Sequence, residues 1–209
     1  MDANKDQTSI LGNAKPSQAI VKLALPATLA LLAKAVYNIV DTAYIGMLGS
    51  DIALTAVGVT VPLLLIMVSI ENIFAAGAAV LAGRQLGAKD EEGASRTVTT
   101  IIGLSIVIGA VLCVGGIVFI EPLMRAFGAS DASLSLAEDY AFWMFVAALA
   151  NLPAQSMNCA ARAESSVKIS SIAVITGALL NVVLDPIFMF DWGLGMGVEG
   201  ASLATTVSQ

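Results

Sequence analysis

The sequence predicts an all-α, polytopic membrane helix bundle. Three observations carry this: 57% of the 209 residues are hydrophobic and only 12% charged, apolar runs of spanning length recur five times, and the Lys and Arg residues gather in alternate connections. An ordinary soluble domain is about one-quarter charged. The mean hydropathy of +0.86 places this chain well outside that class.

Residues 1–20 are polar and hold no apolar core ahead of a small-residue cleavage site, so no secretory signal is expected. They read as a cytoplasmic N-terminal segment preceding a transmembrane lobe over 21–209, with the first span directing insertion. The net charge of −6, without a basic patch, argues against nucleic acid, whose binding needs clustered Lys and Arg to replace phosphate counterions. Cys113 and Cys159 sit in separate apolar segments and lack a CxxC spacing. They read as small hydrophobic side chains rather than as metal ligands or a disulfide.

A helix crosses about 30 Å of hydrocarbon with about 20 apolar residues. Five segments meet that length, at Leu23–Met47, Ala53–Gly83, Thr97–Ile120, Ala137–Ala161 and Ile169–Phe190. A sixth element begins near Gly197, and its run to Gln209 rises only about 20 Å as a helix. That is too short to cross, so the chain is expected to stop inside an element. Lys5, Lys15 and Lys22 precede the first span; Arg84, Lys89 and Arg96 lie between the second and third; Arg162 and Lys168 lie between the fourth and fifth. Only Arg125 falls on the other side. By the positive-inside rule the N-terminus is cytoplasmic, in the inner or cell membrane, and Asp41 and Asp185 share the outer half of the bilayer.

An ionised carboxylate at the centre of a membrane helix costs about 2.5–3.5 kcal/mol unless it meets a partner or a wet cavity. At about 100° per residue, Lys34, Tyr37, Asn38 and Asp41 fall on one face of the first span, and Asn181 and Asp185 lie one turn apart on the fifth. Tyr140, Asn151, Gln155 and Asn158 fall within about a 60° arc of the fourth. Three polar stripes are expected to face one wet interior. A plain packing role, as interhelical glue, suits Asn38, Asn151 and Thr176 as well, because amides and hydroxyls do bridge membrane helices. It suits the carboxylates less, since glue needs no charge. Asp185-Pro186 could instead end a helix, because the residue before proline avoids the α region. Pro62 and Pro153 could kink their spans. Glu71 is a further intramembrane charge, read either as a helix contact or as a marker of a cytoplasmic-side cavity.

The runs YNIVDTAYIG, GRQLGAKDEEGA, GALLNVVLDPIF and GVEGASLATT, in this order and spacing, resemble the amino-terminal half of a multidrug and toxic compound extrusion (MATE) transporter. The likeness extends along nearly the whole chain. It implies one six-helix lobe of a twelve-helix exporter, with the sixth helix cut short and the carboxy-terminal lobe as the missing partner of a central cleft. It further implies a Na⁺ or H⁺ site at Asp41, Asn181, Asp185 and Thr205, bordered by a network of Tyr37, Tyr140, Gln155 and Asn158. No other cofactor is implied. Oxygen ligands suit a hard cation, and two close carboxylates favour a proton on one of them, so either ion could serve. Lys34 stands where relatives carry a neutral residue. If it reached Asp41 it would pair with it and lessen its need for Na⁺.

The function expected from this resemblance is efflux of amphipathic, often cationic, drugs or toxic compounds by antiport with Na⁺ or H⁺. Its partners are the lipid bilayer and small organic cations. A lipid-linked oligosaccharide flippase of the same superfamily is an alternative, but it calls for basic residues around a pyrophosphate and Lys34 stands alone. From another class, an intramembrane aspartyl protease would use two aspartates sharing a proton. Such an enzyme calls for a GxGD run, and GLGMG at 193–197 carries no aspartate.

Overall fold

In hydrocarbon each backbone N–H and C=O must find an internal partner, and the helix supplies one. In the computed structural model, residues 16–163 and 167–208 are described, and they form seven helices: α1 (Pro16–Met47), α2 (Asp51–Gly87), α3 (Glu91–Val118), α4 (Ile120–Ala126), α5 (Leu134–Ala163), α6 (Val167–Met189) and α7 (Val198–Ser208). No strand occurs among the described residues. The first fifteen residues of the expected cytoplasmic segment lie outside them.

Each joint has a local cause. Gly49 takes a left-handed φ of 68°, a conformation that costs glycine little. Ser50 then caps α2 by accepting from the Ala53 N–H at 3.2 Å. Asp90 caps α3 through the Gly93 N–H at 2.8 Å. Ser130 and Ser133 cap α5 reciprocally, each hydroxyl accepting the other's backbone N–H, at 3.1 and 3.3 Å. The third expected span, Thr97–Ile120, is interrupted: α3 stops at Val118, Phe119 leaves helical geometry, and the seven-residue α4 follows.

The Asp185-Pro186 pair does not end its helix. α6 continues to Met189, and the connection then folds back so that Leu194, Met196 and Gly197 donate to the carbonyls of Ile187, Phe188 and Met189 at 2.8, 2.9 and 3.0 Å. The last carbonyls of α6 are satisfied without water.

Among the described residues four helices are long and apolar enough to cross a membrane: Ala24–Met47, Asp51–Gly87, Glu91–Val118 and Val167–Met189. The expected fourth span, Ala137–Ala161, lies within the 30-residue α5 but is more polar than these. Its neighbours explain why. α5 packs most extensively against α2 and α3 and also meets α4, α6 and α7, so protein covers much of it, while Phe142, Leu149 and Met157 stay exposed.

The packing divides the bundle into two halves. α2, α3 and α5 enclose an apolar core of Ala56, Leu63, Met67, Ala141, Phe145, Ala148 and Leu152. α3 can approach α5 because Gly109 lacks a side chain: a Cβ there would stand 2.9 Å from the Ala148 carbonyl oxygen and 3.1 Å from the Leu149 Cα. The second half is α1, α6 and α7, in which α6 packs on both others; α7 also lies against α5 and so joins the halves.

Candidate functional site

The buried polar residues collect where the halves meet. Asp185 is fully buried, Asn181 is 1% exposed and Asp41 9%. Because Asn181 and Asp185 are one helical turn apart, the Asn181 Nδ2 donates to Asp185 Oδ1 at 3.0 Å. The same nitrogen lies 3.2 Å from Thr205 Oγ1 on α7. Gly200 permits this approach, since a Cβ there would stand 2.6 Å from the Phe188 carbonyl oxygen. Ser202 Oγ donates to the Tyr140 carbonyl at 2.8 Å and so seats α7 on α5.

Three oxygens of this group have no donor: Asp41 Oδ1, Asn181 Oδ1 and Asp185 Oδ2 are all buried and without a hydrogen-bond partner. Buried acceptors of this kind are costly and are ordinarily paired. Asp41 and Asp185 act electrostatically on each other and on both Tyr37 and Tyr140. A proton or a hard monovalent cation would supply what the oxygens lack. Among the described residues no three His, Cys, Asp or Glu side chains gather as metal ligands. A cation here would therefore rest on two carboxylates with neutral amide and hydroxyl oxygens.

One cavity adjoins the cluster and a second shares part of its wall, where the three stripes had suggested one. A cavity of about 200 Å³ is lined by Asp41, Thr60, Tyr140, Ser202 and Thr205, among others. A larger one of about 340 Å³ is lined by Asn72, Gln155, Asn158, Ser170 and Ser171, among others. Lys34, Tyr37, Val68, Glu71 and Asn151 line both. The predicted residues thus divide: Asp41, Tyr140 and Thr205 border the smaller cavity, Gln155 and Asn158 the larger and Tyr37 both, while Asn181 and Asp185 are packed behind, linked through Thr205. Asn158 Oδ1 accepts from Ser170 Oγ at 2.8 Å.

Lys34 does not pair with Asp41 in this structure. Among the described residues the ion pairs are those of Arg125 with Glu121 and Asp131, at 3.0 and 2.9 Å. The field of Lys34 acts instead on Glu71 of α2, which gives Glu71 the opposite charge that no residue within one turn of it on its own helix supplies. Asn38 and Thr176 bond back to the carbonyls of Lys34 and Ile172, each at an exposed position. They are not interhelical glue. Asn72, Ser170, Ser171 and Ser202 escaped the sequence reading. Ser202, three residues before Thr205 and so on the same face of α7, was within reach of the periodicity argument; Asn72, beside Glu71, and the adjacent Ser170 and Ser171 form no helical stripe, and only the packing of helices brings them to a cavity.

Comparison with known proteins places this geometry. The MatE family model matches residues 26–187. The multidrug export protein MepA of Staphylococcus aureus (strain MRSA252) is 29% identical over 191 residues, covering 91% of this chain and 42% of that protein. A FAD transporter of Shewanella oneidensis is 28% identical over 208 residues, 98% of this chain and 45% of that protein. Among solved structures, an outward-facing multidrug resistance MATE family transporter superposes with a TM-score of 0.87 at 30% identity, covering 93% of this chain and 43% of that one. A Pyrococcus furiosus transporter of the MOP superfamily, described as having a binding pocket of reversed polarity, gives 0.88 at 30% identity, with 95% and 43% covered. The chain thus spans less than half the length of the relatives it matches. These relatives are transporters, which sets the aspartyl protease alternative aside. The chain belongs to the MatE family of multi-pass membrane transporters.

Proposed function

We propose that this chain forms the amino-terminal lobe of a secondary active exporter that moves amphipathic, often cationic, drugs or toxic compounds outward in exchange for Na⁺ or H⁺. The N-terminus lies on the cytoplasmic side of the cell membrane, and a second lobe completes the cleft. The observation that carries the coupling is the set of three buried, donorless oxygens on Asp41, Asn181 and Asp185. Ionised and empty, the two carboxylates repel each other in a poor dielectric; a bound proton or Na⁺ neutralises part of that charge and relieves the repulsion. The cluster therefore favours a loaded state whenever the ion is abundant. Thr205 and Asn181 supply neutral oxygens, while Tyr37 and Tyr140 border the path from the cluster to the cavities that Gln155 and Asn158 extend.

Coupling follows if the rearrangement that opens the cavity to the outside also changes the affinity of this cluster for its ion. Residues on α1, α5, α6 and α7 all border it, so a shift of any one helix alters its geometry. Lys34 is the only Lys or Arg lining either cavity among the described residues, which favours drug efflux over pyrophosphate-linked lipid flipping. In vesicles holding the whole transporter, Asp41→Asn should abolish ion-driven efflux of a fluorescent organic cation. Undiminished, ion-dependent efflux by that variant would refute the coupling assignment.

A further inference from the structure

Coupling gives no part to Lys34 of α1 and Glu71 of α2. Both are half-buried and both line the two cavities. Glu71 lies in the field of Lys34, yet no direct ion pair joins them among the described residues, where the paired cation is Arg125. Two opposite charges thus share one recess without contact. Each is half-buried at a cavity wall and open to a ligand group of the other sign.

The larger cavity sharpens this arrangement. Lys34 is its only cation and Glu71 its only carboxylate among the lining residues. Asn72, Gln155 and Ser171 add hydrogen-bonding groups, and Leu31, Val68 and Val174 add apolar wall. A compound with a single positive charge gains from Glu71 and loses to Lys34, so the two effects nearly cancel. A compound carrying an ammonium and a carboxylate can place one against each and leave neither protein charge exposed.

We propose that the larger cavity is a binding site for zwitterionic amphiphiles and that Lys34 selects them over simple organic cations. The proposal rests on the efflux reading for its place in transport, but the binding step can be measured by itself. The probes are a zwitterionic rhodamine and its methyl ester, which differ only in the carboxylate, titrated into the whole transporter in detergent. Wild type should bind the zwitterion more tightly than the ester. Lys34→Gln should shift the ratio of the two Kd values about tenfold toward the ester, the order expected of one lost charge pair. Lys34→Arg should keep the wild-type ratio, and Glu71→Gln should weaken both probes because both carry the cation. Retained binding of the ester shows that Lys34→Gln is folded; Lys34→Met, similar in length, is a second neutral variant. An unchanged ratio in both neutral variants, a wild type that favours the ester, or a wild type that binds neither probe would overturn the proposal. Efflux of the two probes in vesicles is scored separately: absence of efflux for both beside an intact binding preference would remove the efflux reading and leave the site standing.

Discussion

The two halves of this bundle solve opposite problems with the same kind of helix. In α2, α3 and α5 the interior is dry and close-packed: Leu152 and Ala141 are wholly buried, Phe145 is 3% exposed, and Gly109 and Gly116 admit the neighbouring helix and the Phe145 ring. Even its buried polar pair is self-sufficient, with Ser105 and Ser156 hydroxyls 3.0 Å apart and Ser156 also bonded to the Leu152 carbonyl. The α1, α6 and α7 half instead buries Asp41, Asn181 and Asp185 with oxygens left unpaired. One half is close-packed around apolar side chains, and among its described residues the buried oxygens left unpaired are the neutral amide oxygens of Gln85 and Asn151. The other leaves carboxylate oxygens unpaired, and in the exporter proposed above that incompleteness is what would let an ion gradient act on it.

The comparison predicts that equal burial has opposite consequences for stability. The largest effect is expected for Leu152→Ala, which removes fully buried atoms from the dry half and should cost about 2–5 kcal/mol by thermal unfolding of the whole transporter. The same measurement on Asp185→Leu should show no loss, or a gain, because a buried carboxylate with an unmet oxygen is replaced by an apolar group, while ion-driven efflux disappears. A loss at Asp185 as large as at Leu152 would erase the contrast between the halves.

Next in size is Gly109→Ala, whose new Cβ meets backbone atoms of α5 that cannot rotate away. It should cost about 1–3 kcal/mol through separation of α3 and α5 and leave the ion response unchanged. Ser105→Ala should cost about 1 kcal/mol, since Ser156 keeps its bond to Leu152. At the far end of the scale is Arg125. Its guanidinium stays protonated more firmly than usual because Asp131 and Glu121 both accept from it, but the cluster is exposed and screened. Arg125→Ala should leave the melting temperature where it is.

Much of the polar half was legible in the sequence because charge is rare there. Asp41 and Asp185 stand out in apolar runs, and the four-residue spacing of Asn181 and Asp185 implied the contact that the structure shows at 3.0 Å. The family likeness added Thr205, which periodicity alone could not bring to Asn181, since that meeting depends on how the connection after α6 folds back. Lys34 shows where single-helix reasoning stops. Sharing a face with Asp41 left open whether it would reach that carboxylate or turn away from it, and the structure sets it in the field of Glu71 instead. The packed position of α5 was hidden for a related reason. Its polar residues were read as a cavity stripe, whereas they also reflect a helix packed against five others.

The most direct measurement is of cation uptake by the cluster itself. Purified whole transporter would be titrated with Na⁺ and, separately, with acid, and the uptake of wild type compared with that of the Asp41→Asn, Asp185→Asn double variant. A coupling site at these carboxylates predicts about one Na⁺ fewer in the variant or, where a proton serves, the loss of up to two protons, at least one of them taken up near neutral pH rather than in the ordinary carboxylate range. Equal uptake by the two proteins would contradict it.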